Sequence, residues 1–162
     1  MKKIILSLVL FLSVAAVKAQ DNAIDNITTS YIGVKNALVG SNGVLAKSRA
    51  KELLAALSVP VKGLQPAQQK LMASYADKLK FDSRHISQTT VVEHQREHFE
   101  NLSKNMYALL LGLKLNSTTL YQQYCPMKKA YWLSETEEVR NPYYGDKMLE
   151  CGEVKATLKG AK

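Results

Sequence analysis

After Val17 the chain has no apolar run approaching the ~20 residues that cross a bilayer, so no membrane span is expected. It has no Gly-rich phosphate loop, no nucleophile elbow, no Ser, His and Asp in a catalytic order, and no paired carboxylates placed for a cleft. With only three histidines as well, these absences argue against an enzyme. Basic residues exceed acidic ones, 22 to 14, but the lysines are scattered. No Arg-rich run or aromatic-basic motif accompanies them, which excludes nucleic acid as the expected partner. Cysteine is scarce, at two residues, too few for a disulfide scaffold. No Pro/Gly/Ser-rich linker divides the chain, so residues 20–162 read as a single domain large enough for its own core.

At the N-terminus, Lys2 and Lys3 precede the apolar run Ile4 to Val17 and the small-residue site Val17-Lys18-Ala19. This pattern predicts a secretory signal peptide over 1–19, cleaved after Ala19, and a periplasmic or secreted protein. No Cys follows the cleavage site, so no lipid anchor is indicated there. Cleavage removes Lys2, Lys3 and Lys18, leaving 19 basic residues against 14 acidic ones and reducing the net charge from +8 to +5.

Helical periodicity runs from Ile24 to about Leu113. A first helix carries Ile24, Ile27, Tyr31, Val34 and Leu38 and stops at Gly40. A second, capped by Ser41 or Asn42, presents Val44, Leu45, Leu53, Leu54 and Leu57 and ends before Pro60. A third starts near Pro66 and carries Leu71, Met72, Tyr75 and Leu79. A fourth spans about Ser87 to Lys114. After Asn116 the periodicity is lost, and strand-like pieces appear at Leu120 to Tyr124, Ala130 to Leu133 and Gly152 to Leu158. The expected fold is therefore mainly α: an antiparallel bundle of about four helices with a small, partly β, partly irregular lobe over about 117–162. Tyr121, Tyr124, Tyr131, Trp132, Tyr143 and Tyr144 are expected to pack that lobe on the bundle, and Asn141-Pro142-Tyr143-Tyr144-Gly145 reads as a turn.

Two sets of residues carry candidate chemistry. Cys125 and Met127 stand together, as do Met148 and Cys151, and such soft donors select Cu(I), with Ag as a second candidate. The same cysteines, in an oxidising compartment, equally read as a Cys125–Cys151 disulfide, whose closure of a loop of about 27 residues would contribute roughly 3 kcal/mol. Sequence leaves these alternatives open. His94 and His98, four residues apart, lie on one helix face and can chelate one ion, with Zn or Cu(II) preferred. Gln95 follows His94, so the zinc-peptidase pattern is absent. His85, alone near a presumed helix start, reads as a surface residue.

The segments Tyr124-Cys125-Pro126-Met127, Trp132-Leu133, Asn141-Pro142-Tyr143-Tyr144-Gly145 and Met148-Leu149-Glu150-Cys151-Gly152, with Tyr31, Ala37-Leu38 and Arg96-Glu97-His98-Phe99 in the helical part, resemble a domain of unknown function of exported bacterial proteins. That domain occurs alone or at the C-terminus of CusB-like periplasmic adaptor subunits of heavy-metal efflux pumps. The resemblance implies a helical bundle with a short C-terminal lobe, working beside copper and silver resistance proteins. It implies Cys125, Met127, Met148 and Cys151 as metal ligands, with His94 and His98 as additions. The long hairpin and barrel segments of a full adaptor are missing, so the implied role is binding metal as a buffer or delivering it to an efflux adaptor or pump. The competing expectation is a structural module, stapled by a Cys125–Cys151 disulfide, that binds such an adaptor.

Overall fold

A computed structural model describes residues 23–161; the signal-peptide expectation lies outside them. Four helices come first: α1 over 23–39, α2 over Gly43–Ser58, α3 over Pro66–Gln88 and α4 over Val92–Leu113. Three strands follow, β1 (Leu120–Cys125), β2 (Ala130–Ser134) and β3 (Glu153–Leu158), with a 3₁₀ turn at Gly145–Lys147. They form one antiparallel sheet in the order β2-β1-β3. The fold is thus the mainly helical one expected, with a small β lobe. No helix among the described residues is long and apolar enough to cross a membrane.

Local chemistry explains the helix limits. The α1–α2 turn is made by Ser41, not Gly40, in the left-handed region (φ 50°), and Asn42 then accepts the Leu45 N–H at 2.9 Å to cap α2. Pro66 opens α3, and the Gln68 side chain accepts the Gln65 N–H at 3.0 Å. The fourth helix starts later than expected, at Val92, because α3 runs on to Gln88 and only residues 89–91 separate the two. This tight αα-hairpin decides where the histidines meet.

The core is continuous between bundle and lobe. Ile24, Ile27, Leu38, Leu53, Leu79, Phe99, Leu102, Met106 and Leu109 are buried with Trp132 and Leu133 of β2. Val44 and Leu45 depart from expectation: they are 71% and 41% exposed, and α2 instead buries Gly43, Ala46, Ala50, Leu53 and Leu57. Its inward face is narrow because α2 approaches its neighbours on small residues. A Cβ on Gly43 would strike the Thr90 carbonyl of the α3–α4 turn.

Polar anchors fix the lobe. The buried Tyr31 hydroxyl bonds Ser103 of α4 at 2.7 Å and accepts the Leu133 N–H of edge strand β2 at 3.1 Å. Arg96 of α4 donates to the Pro142 carbonyl at 2.8 Å, the Leu38 carbonyl at 3.1 Å and Ser41 Oγ at 3.0 Å. The lobe backbone passes closely there on Gly145, whose φ of 54° and contact with Arg96 disfavour a side chain. Residues 141–145 form the expected turn, closed by the Gly145 N–H on the Asn141 carbonyl at 3.0 Å. Of the aromatic set, Trp132 and Tyr143 are buried, while Tyr124 and Tyr131 pair on the sheet with ring centres 4.6 Å apart.

Candidate metal centre

The α3–α4 hairpin brings His85, three residues before the end of α3, against His94 and His98 in the first two turns of α4. One ring nitrogen from each lies within 4.8 Å of the others. Bonds of ~2.0–2.1 Å to one tetrahedral ion would set such donors ~3.3 Å apart, a contraction within reach of side-chain rotation. The rings of His85 and His98 are stacked at 4.4 Å, and His94 meets His98 edge-on at 4.9 Å. Phe81, one turn before His85, covers it at 4.4 Å. His98 is the most enclosed of the α4 pair, 18% exposed against 46% for His94. The sequence reading of His85 as an isolated surface residue is therefore corrected: it is half-buried within the cluster.

Carboxylates lie beside two of the rings, and one is hydrogen-bonded. His98 Nδ1 lies 3.0 Å from Asp82 Oδ1, and His94 Nδ1 lies 3.4 Å from Glu97 Oε2. A protonated Nδ1 donating to a carboxylate leaves Nε2 with its lone pair, the arrangement of metal-bound histidines. Asp82 is buried, and burial pushes its carboxyl above the ordinary range against the opposing pull of the His98 hydrogen bond and the His98 and His85 rings. An ion on His98 would return positive charge to that carboxylate.

Gln95 holds the hairpin in register. Its wholly buried amide donates to the carbonyls of Gly43 and Thr89 at 2.9 Å and Ile86 at 3.3 Å. The side chain between His94 and His98 thus grips the end of α3 immediately after His85.

The cysteines stand outside this group. Cys125 and Cys151 are free thiols with sulfurs 3.7 Å apart, and neither belongs to the histidine group. Cys125 is fully buried at the end of β1 and Cys151 half-buried before β3. Met127 in the β1–β2 turn is 63% exposed and Met148 is 38% exposed. A 3₁₀ turn ends at Lys147, and no helix joins Met148 to Cys151. Burial raises the Cys151 thiol above its ordinary value, Cys125 adds to the shift, and the Met127 N–H opposes it.

Fold and site together define a helical-bundle domain with a three-histidine cluster that can hold a metal ion. The chain belongs to the family described as protein of unknown function (DUF3347), whose model matches residues 27–118. That span contains all three histidines and ends before the lobe that carries the cysteines. No curated protein and no solved structure matches the chain.

Proposed function

We propose that the protein is an exported metal carrier, a buffer or donor and not an enzyme, that binds its ion at His85, His94 and His98. The observation that supports this reading is the convergence of three imidazoles, one of them, His98, hydrogen-bonded through Nδ1 to the buried Asp82. Imidazole donors favour Cu(II) over Zn(II), so copper is the proposed ion, in keeping with the heavy-metal setting that the resemblance implies. The exposed side of the cluster suits exchange with a second protein, and an efflux adaptor or pump is the proposed recipient.

Titration of the full chain with Cu(II) and Zn(II) against competing chelators tests the proposal. One tight equivalent is expected, with Cu(II) held more strongly. Replacement of His85, His94 or His98 by Ala should each weaken binding by more than about 100-fold, beyond the effect of losing an outer-shell partner. An unchanged affinity in His85→Ala refutes the three-ligand site.

A further inference from the structure

We infer that Cys125 and Cys151 form a second, separate metal site, a bis-thiolate for a soft monovalent ion, Cu(I) or Ag(I), completed by one methionine thioether. This site does not rest on the histidine cluster: it shares no residue with it and lies outside the matched family span.

The sheet register builds it. Tyr124 pairs with Glu153 across β1 and β3, so the residue after Tyr124 and the residue two before Glu153 meet just past the paired ends. Each sulfur is then held by its own backbone. In the turn after β1, the Lys129 N–H bonds the Cys125 carbonyl at 2.8 Å with Lys129 left-handed (φ 58°), which directs the Lys128 N–H onto Cys125 Sγ at 3.4 Å. On the other side, buried Asn141 donates its amide to the Cys151 carbonyl at 2.7 Å and its N–H to the Leu149 carbonyl at 2.7 Å. One backbone N–H of the β1–β2 turn thus faces the Cys125 sulfur, 3.7 Å from which lies the Cys151 sulfur.

The spacing decides the coordination. An ion with bonds of ~2.3 Å to both sulfurs, 3.7 Å apart, subtends roughly 107°. Linear two-coordination at that bond length would need the sulfurs ~4.6 Å apart, so the spacing as it stands favours a bent site with room for a further donor. Met127 follows Cys125 by two residues and Met148 precedes Cys151 by three, both exposed and each with a flexible side chain. Trp132 and Val139 close against Gly152, beside Cys151, and exclude water from that side. Binding replaces two S–H bonds with two S–metal bonds and releases two protons to solvent, with no change in oxidation state.

The test uses the full chain, reduced and kept anaerobic, titrated with Cu(I) against a chromogenic Cu(I) chelator and, in parallel, with Ag(I). One equivalent bound with a thiolate-to-metal absorption band is expected. Cys151→Ser, at the half-buried position, should abolish that equivalent and the band, while circular dichroism confirms its fold. One of Met127→Leu and Met148→Leu should weaken binding at least tenfold. A His85→Ala, His94→Ala, His98→Ala variant should keep the Cu(I) equivalent while losing the divalent one, so either site can fail alone. Undiminished Cu(I) binding in Cys151→Ser, or none in the reduced parent, overturns the site. Parent-like binding in both methionine variants overturns the thioether.

Discussion

Asp82 offers a direct measure of how the histidine site is organised. It sits one turn before His85 on α3, is 4% exposed, and meets His98 Nδ1 at 3.0 Å. Asp82→Asn preserves shape and an acceptor oxygen but removes the charge that makes His98 a stronger donor. Loss of such a partner weakens metal binding by about 10–100-fold. At a free ion concentration 100 times the parent Kd, the ion stabilises the fold by about 2.7 kcal/mol. A 30-fold weaker site retains about 0.9 kcal/mol at that concentration, a difference of about 1.8 kcal/mol. For a domain of this size that is about 5 °C of metal-induced rise in Tm. The assay is differential scanning fluorimetry with and without ion on each variant, so any effect of the substitution on the apo fold cancels. Glu97→Gln is the internal contrast: Glu97 is 71% exposed and 3.4 Å from His94, and its removal should cost less than about threefold. Equal losses in the two variants, or none in Asp82→Asn, would refute the orienting role.

Three further outcomes are expected. Tyr31→Phe strands the buried Leu133 N–H, while Ser103 can turn to its own helix; the loss should be about 2–3 kcal/mol by denaturant titration, and a value under 0.5 contradicts the anchor. Burial alone would raise the Glu135 carboxyl, but bonds from Asn36 and Lys35 leave it below the ordinary 4.5. Its contribution is therefore present above that value and lost as pH falls through the lower folded-state pKa. Glu135→Gln should flatten the acid limb of the stability profile and, by leaving Lys35 buried without its partner at 2.9 Å, cost about 2 kcal/mol at neutral pH; an unchanged acid limb would count against the pair. A chain ended after Thr118 should show no cooperative thermal transition, and a sharp one with retained metal binding would show that the helices stand alone.

Much of the fold was legible because helices and strands declare themselves by period, and the Asn42 cap, Pro66 start and 141–145 turn by residue type. The α3–α4 boundary was not. A fourth helix begun at Ser87 places His85 in a loop, whereas the hairpin centred on Thr90 sets His85 and His94 almost equally far from the turn. The usable signal was Asp82 and His85 spaced i, i+3 on one face, shortly before a turn and the His94/His98 pair. Gln95 gave no such warning, since a glutamine on an apolar helix flank reads as solvent-facing until three carbonyls are found around its amide. Val44 and Leu45 misled in the opposite direction, because hydrophobicity outranks size in a periodicity count, and the close approach on Gly43, Ala46 and Ala50 depends on size.

The family match ends at residue 118, yet the matched helices carry groups that only the lobe satisfies. Lys35 is 3% exposed and its ion pair is with Glu135; the Tyr31 hydroxyl is spent partly on Leu133; Arg96 reaches Pro142; and Phe99 packs on Tyr143 with ring centres 5.8 Å apart. Removing Leu120, Trp132, Leu133 and Tyr143 from the core forfeits about 1.5–3 kcal/mol each, together about 6–12 kcal/mol. That is comparable with the whole stability of a domain, about 5–15 kcal/mol, before any cost of stranding Lys35. Helices and lobe are therefore expected to unfold together. The α4 backbone that bears His94 and His98 also bears Arg96 and Phe99, so the register of the histidine site and the docking of the cysteine lobe are set by the same helix.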